Sequence, residues 1–378
     1  MASSTKKGYS GIGGQAVLEG VMMKNGEKYA VAVRKPDGEI TVEVEHYAGI
    51  TEGKVIQKIP FVRGIFNFVD SMILGMRALN YSTSFYDEES SKEAARDSKH
   101  VSTSDSSNGA SVFAIIIAFI MAIGLFVLLP TFIASKIGNM IRNDSLQALI
   151  EGGIRIVIFL LYVIGIGFMK DIKRLYRYHG AEHKCINCLE KGRPLTVKNV
   201  KRSSRLHRRC GTSFLFLVVF VSVVIFFFIR VDSMWLRLLI RIAMIPVVAG
   251  IAYEILRLAG RYDNFLINII SAPGMLIQRL TTKEPDEEMI MVAIASVEAV
   301  FDWKNYLYEA YGYEITDEWL RDDIEEYPDF DMDAMAETIY NEDEYYTDEA
   351  YEDLDPDDDS DDVNWEEWED DDFNEDLQ

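Results

Sequence analysis

The sequence predicts an α-helical polytopic membrane protein of about four spans, with a small N-terminal antiparallel β domain and a disordered acidic C-terminal tail. Four hydrophobic runs between residues 112 and 255 approach the roughly 20 residues that cross a bilayer as a helix. Residues 13–46 alternate apolar and polar positions between turn sequences, as a half-buried sheet does. Charge is the third observation. From Asn305 to Gln378 there are 33 acidic residues and one basic one, a charge of −32 against −23 for the whole chain, so residues 1–304 carry +9. The pattern is a basic body with an acidic appendage, not an acidic soluble protein.

In chain order, MASSTKKGYSGIGG has no apolar stretch of the kind a cleavable signal needs, so none is expected. Residues 1–86 are expected to form a cytosolic β-meander followed by an amphipathic helix. GGQAVLEGVMM, KYAVAVR and EITVEVE are separated by Asn25-Gly26 and Pro36-Asp37-Gly38, which supply the backbone angles of tight turns. Gly13, Gly14 and Gly20 mark bends or close backbone approach. Residues 60–82 have helical apolar spacing, read either as a core helix under the sheet or as a helix in the membrane interface. Their large apolar content favours the interface. The Ser-rich stretch 87–110 reads as a flexible linker with an idle, solvent-exposed His100.

The membrane region is expected over 111–258. Its runs are Val112–Ala134, Ile156–Met169 (extended upstream past a snorkelling Arg155), Gly211–Ile229 and a weaker Met234–Ile255 that must tolerate Pro246. Segment 170–210 holds 13 Lys/Arg against three acidic residues, which places it in the cytoplasm with both termini. Three cysteines cannot form a disulfide framework, and a reducing compartment agrees with that topology. Residues 259–304 read as an interfacial segment broken at Pro273-Gly274 and an amphipathic helix, Glu284–Trp303, with Met289, Val292, Ala293, Ser296 and Val300 on one face. The 305–378 tail is a solvated, disordered segment, with a basic protein as its possible partner and a short helix over 313–326 as an option. The bilayer is the other expected partner, and no nucleic acid is expected.

Segment 170–210 also holds all three cysteines and three of the five histidines. His179 and His183 lie four residues apart, so one helix face carries both. With Glu182 they spell H-x-x-E-H, the order of inverted zincins, in which Glu182 would be the general base. Glu254, Cys210 or His207 would complete the ligand set for a divalent ion, zinc in the first instance. The rival reading takes Cys185-x-x-Cys188 with His207-x-x-Cys210 as a closed structural zinc site. A third leaves the histidines on a basic helix facing anionic lipid. Convergence of His179 and Cys210 requires a bend, with Gly180 the candidate.

The stretches GGQAVLEGVMM, RGIFNFVDSMILGMRALNYS, YHGAEHKCINCLE, SSRLHRRCGTSF, VVAGIAYEILRLAGR and SAPGMLIQRLTTKEPD resemble the YqhQ-like bacterial membrane proteins. These form a family of unknown function classed as predicted metal-dependent enzymes. The resemblance covers residues 13 to about 303 and implies His179, Glu182, His183, His207 and Cys210 as the positions of interest, with Glu19 and Glu254 as additions. Two positions depart from the family pattern, Cys185 and Arg208, and the first weakens the closed-site reading. The expected activity is metal-dependent hydrolysis at the inner face of the cytoplasmic membrane. The alternative is a non-catalytic accessory or scaffold protein, for membrane-protein biogenesis, with a structural zinc. A transporter is disfavoured because the spans hold few polar residues.

Overall fold

The protein is mostly helical, with one four-stranded antiparallel sheet at its N-terminal end. The computed structural model describes residues 8–50, 55–97, 117–138 without 119, 144–262 without 230 and 232, 265–312 and 315. The strands are β1 (Gly13–Val17), β2 (Gly20–Asn25), β3 (Lys28–Arg34) and β4 (Ile40–His46), in sequential order. The predicted meander is present with one more strand than its turn residues announce. Val17 pairs with Gly20 across Leu18-Glu19, so GGQAVLEGVMM folds into two strands, with Glu19 at a φ of 51°.

The helices are α1 (Val62–Asp97), α2 (Leu129–Gly138), α3 (Asp144–Ile166), α4 (Lys170–Glu190), α5 (Val197–Arg202), α6 (Gly211–Phe228), α7 (Met234–Ala243), α8 (Ile245–Arg261), α9 (Phe265–Thr281), α10 (Glu287–Val300) and α11 (Trp303–Tyr311). The sheet is covered on both faces, as its alternation demands. Val21, Met23, Ala30 and Ala32 belong to one core with buried residues of α4 and α10. Met22, Tyr29, Val31 and Val33 belong to another, closed by Leu74 and Ala78 of α1.

In α10 the five residues assigned to one face are all buried, and Ser296 donates to the Ala30 carbonyl at 3.1 Å. The preference for an interfacial α1 is corrected by Leu74 and Ala78, which lie under the sheet at 3% and 1% exposure. The helix also runs on to Asp97, into the stretch expected as a linker, whose remainder with His100 lies outside the described residues.

Among the described residues, two helices are long and apolar enough to cross a membrane: Leu146–Ile166 within α3 and Gly211–Phe228. The pair α7 and α8 adds a third if its 42° bend is one broken span. The expected unbroken run Met234–Ile255 gives way at Met244, and Pro246 falls in the first turn of α8. There its missing N–H is one of those with no intrahelical partner, so the break costs little. The first expected run is described only in part, as the apolar helical stretch Ile120–Lys136. Arg155 does not snorkel: it is 5% exposed and is held by Glu151, Ser222 and the Phe126 carbonyl. Nor does Pro273 break the segment after α8, since α9 continues through it.

α11 takes the first residues of the expected tail into the core. Trp303 and Leu307, four apart, are 4% and 0% exposed. The tail from 316 on, with the optional helix over 313–326 and the proposed basic partner's binding segment, lies outside the described residues.

The sheet's dependence on α10 is testable. Ile290 is 0% exposed and Met72 51%. Ile290→Ala is expected to cost about 2–5 kcal/mol, read as a fall in the thermal midpoint of the detergent-solubilised protein. Met72→Ala should stay within about 0.5 kcal/mol. Equal midpoints for the two variants would contradict the packing.

Candidate metal centre

Along α4, His179, His183 and Asn187 recur every four residues and share a face. The segment 203–210 lies back along that face because the helix's side chains satisfy its carbonyls. His183 Nδ1 is 2.6 Å from the Arg205 oxygen. Asn187 donates to Ser204 and Leu206 at 2.7 and 2.8 Å. The neighbouring Lys184 donates to Lys201 and Ser203 at 3.0 and 2.8 Å. From the other side, the buried Gln278 of α9 accepts the His207 N–H at 2.8 Å and donates to its carbonyl at 2.7 Å. His179 Nδ1 is 3.1 Å from the Thr281 oxygen. At Gly180, where a bend is expected, the helix does not break: α4 is continuous there. Gly180 serves close approach instead: a Cβ would stand 2.1 Å from the Lys283 oxygen.

The fold-back brings Cys210, the N-cap of α6, to the histidine pair. One donor atom each from His179, His183 and Cys210 lies within 4.8 Å of the other two, a cluster able to hold a metal ion. His179 Nε2 is 3.1 Å from Cys210 Sγ, and the two imidazole centroids are 4.3 Å apart. Donors around a tetrahedral ion with bonds of 2.0–2.3 Å stand roughly 3.3–3.6 Å apart, so only small shifts separate the cluster from a ligating geometry. Both Nδ1 atoms face carbonyl oxygens, which fixes the ring orientation and leaves Nε2 as the ligating atom.

Electrostatics agree with a thiolate ligand. Burial opposes ionisation of Cys210, but the imidazoles of His179 and His183 outweigh it and hold the thiol well below its ordinary value. Burial likewise opposes a charged His179, yet Cys210, Glu182 and the Thr281 carbonyl lift it to about 9. Beside them, Glu182 is 5% exposed and its Oε2 is buried with no hydrogen-bond partner. Burial raises its carboxyl, partly offset by His179 and His183. Gly14 of β1 makes room for it, since a Cβ there would be 3.0 Å from Glu182 Cγ. An orphaned carboxylate oxygen next to two imidazoles and a thiolate fits a bound cation.

The remaining expected ligands are placed differently. His207 stands near, its ring centroid 5.6 Å from that of His183, but its Nε2 faces Glu190 at 3.6 Å. Burial is the main force that pushes it down to about 4. Cys185 and Cys188 are not in the cluster. At about 100° per residue they sit some 140–200° around α4 from His183, in the core under the sheet. Cys188 donates to the Arg193 and Pro194 carbonyls at 3.7 and 3.4 Å, and burial pushes its thiol up to about 12. The closed set of Cys185, Cys188, His207 and Cys210 is therefore not assembled. Glu254 is also elsewhere, bound by Arg63 at 2.7 and 2.5 Å and by the Phe61 N–H. Glu19 is paired with Arg174 and accepts from Tyr178 at 3.1 Å.

Several positioning residues were not singled out in the sequence, among them Glu190, Gln278 and Thr281. Glu190 accepts from Arg209 and from Ser10, and so anchors the end of the 203–210 segment. Its position seven after His183, two turns along one face, was the available signal. Thr281 acts on His179 through its carbonyl, which no side-chain pattern announces.

Residues 59–303 match the family described as "Protein of unknown function (DUF1385)". The chain belongs to that family. It is 35% identical over 286 residues to "Uncharacterized protein YqhQ" of Bacillus subtilis (strain 168), a match covering 75% of this chain and 90% of that one. No solved structure matches. The DUF1385 region contains the whole cluster and ends where α11 begins.

Gly180→Ala should force the Lys283 carbonyl away and with it the Thr281 contact to His179. A stability loss of about 1–3 kcal/mol is expected, with a 10–100-fold loss in metal affinity of the kind seen when an orienting contact is removed. Titration of metal-stripped protein in detergent measures it; unchanged affinity would show that Thr281 does not orient the ring.

Proposed function

We propose that this DUF1385 chain is an integral protein of the bacterial cytoplasmic membrane whose cytosolic face carries a zinc-type metal centre and acts as a metal-dependent hydrolase. The observation that carries the reading is the cluster of His179, His183 and Cys210 beside the unpartnered Glu182. Three protein ligands leave one position open, as in catalytic rather than structural zinc sites. The ion would supply Lewis acidity toward a carbonyl or phosphoryl oxygen. Glu182, raised by burial and without a protein partner for Oε2, is suited to take a proton from water and return it to a leaving group. Thr281 and Arg205 hold the imidazoles through their carbonyls. Gln278 and Glu190 hold the segment that delivers Cys210.

Four spans and cytosolic termini are part of the proposal. Large apolar side chains stand exposed along the long helices, such as Leu161 (63%) and Phe228 (75%), and on the short α7, as Trp235 (80%), which points to lipid around them. The basic 170–210 segment and the free thiols Cys185, Cys188 and Cys210 support a cytosolic site. A second reading, a non-catalytic accessory protein stapled by its ion, draws on His207, whose ring centroid is 5.6 Å from that of His183 and which as a fourth ligand would close the shell.

Wild-type protein purified without chelator is expected to hold about one equivalent of metal by elemental analysis. His183→Ala and Cys210→Ser should hold almost none, and Cys188→Ser should keep it. Glu182→Gln should keep its metal and lose the cellular function of the wild type. Full function in that variant would remove the hydrolase and leave the staple; full metal content in His183→Ala would remove the centre itself.

A further inference from the structure

α6 starts at the metal cluster and ends at Phe228, about 27 Å away at 1.5 Å per residue. At this far end, α3, α6 and α7 frame a half-open cavity of about 90 Å3 lined in part by Glu151, Arg155, Phe226, Arg237 and Arg241. About 10–15 Å3 admits one water, so there is room for a polyatomic anion. Arg155 and Arg241 are 5% and 6% exposed, and their guanidinium carbons flank the Phe226 ring at 5.5 and 5.4 Å from its centroid. Among the described residues, three guanidinium groups therefore meet one lining carboxylate, Glu151, which is shared by Arg155 and Arg241. Arg237 is held only by the Val231 carbonyl, at 3.1 and 2.8 Å, among the described residues.

An ion pair serving only to fasten helices together needs no such surplus. Among the described residues the lining thus carries two more positive charges than negative ones, and buried guanidinium groups such as Arg155 and Arg241 are costly unless anions join them. Arginine's forked donors match the several acceptor oxygens of a phosphate group. We infer that this cavity binds a phosphate-bearing anion, a phospholipid headgroup or free phosphate. The lipid source rests on the proposed membrane placement, in which an 18-residue span reaches the headgroup level near Phe228. The cavity's charge does not depend on that placement, nor on the metal.

The full-length protein in dodecyl maltoside tests this by thermal unfolding with added phosphatidylglycerol, with a phosphate-free glucosyl diacylglycerol, and with sodium phosphate against sodium chloride at equal ionic strength. The wild type is expected to be stabilised by phosphatidylglycerol, by inorganic phosphate or by both, and not by the glycolipid. Stabilisation by phosphatidylglycerol alone assigns the lipid headgroup; stabilisation by phosphate as well assigns a site for the free ion. Arg237→Gln should raise the half-saturating concentration at least tenfold while its metal content stays at the wild-type value, and Arg237→Lys should lie between. No stabilisation by either phosphate compound, an equal response to the glycolipid, or an unchanged response in Arg237→Gln would overturn the inference. Because metal content is read separately, a failed metal centre and an empty basic cavity give different results.

Discussion

The structure around the cluster depends on a single constraint: the carbonyl groups of a non-repetitive segment must find donors once they are packed against α4. His183, Lys184 and Asn187 supply them for Lys201, Ser203, Ser204, Arg205 and Leu206. Each such bond contributes only about 0.5–1.5 kcal/mol net, but a carbonyl left buried without one costs about 1–3 kcal/mol. The bonds to these five carbonyls therefore favour one register of the segment on the helix. That register delivers Cys210 to His179, 31 residues earlier in the chain.

The same constraint couples the apolar helix α6 to the sheet. Cys210 is at once the N-cap of α6, its sulfur accepting the Thr212 N–H at 3.4 Å, and a member of the cluster. α4 carries the cluster on one side and the sheet core, through Ala181, Cys185 and Leu189, on the other. Glycines keep these layers close. Gly180 admits the Lys283 carbonyl, and Gly274 of α9 lies where a Cβ would stand 2.9 Å from the Ser213 side chain of α6. A small displacement of any layer is felt at the histidines, because close-packed interiors transmit strain rather than absorb it.

What could be read from the sequence was what periodicity encodes. The meander, the buried face of α10 and the shared face of His179 and His183 follow from spacings of two, three and four residues. The structure differs where a residue type has two uses and context chooses. Cys185 and Cys188 have zinc-site spacing, yet their angular position on α4 puts them in the core. Arg155 is long enough to reach an interface but finds Glu151 one turn away. Pro246 and Pro273 are alike in sequence, and only the first coincides with a helix break. α1 could serve sheet or bilayer, and its apolar content alone does not distinguish them. The carbonyls that orient the imidazoles belong to residues whose side chains carry no relevant signal.

The disposition of shielded carboxylates separates the cluster from ordinary structural electrostatics. Glu19 meets Arg174, Glu151 meets Arg155 and Arg241, Glu190 meets Arg209, and Glu254 meets Arg63. In each case the cost of burying a negative charge is offset by a guanidinium in contact. Among the described residues Glu182 has no such partner, although the 170–210 segment offers 13 basic residues from which one could have been drawn. Its neighbours are instead His179, His183 and Cys210, groups that bind protons and metal ions. A carboxylate confined there must gain a proton or face a cation, and an acid that can do both within one cluster has the property a hydrolytic base requires.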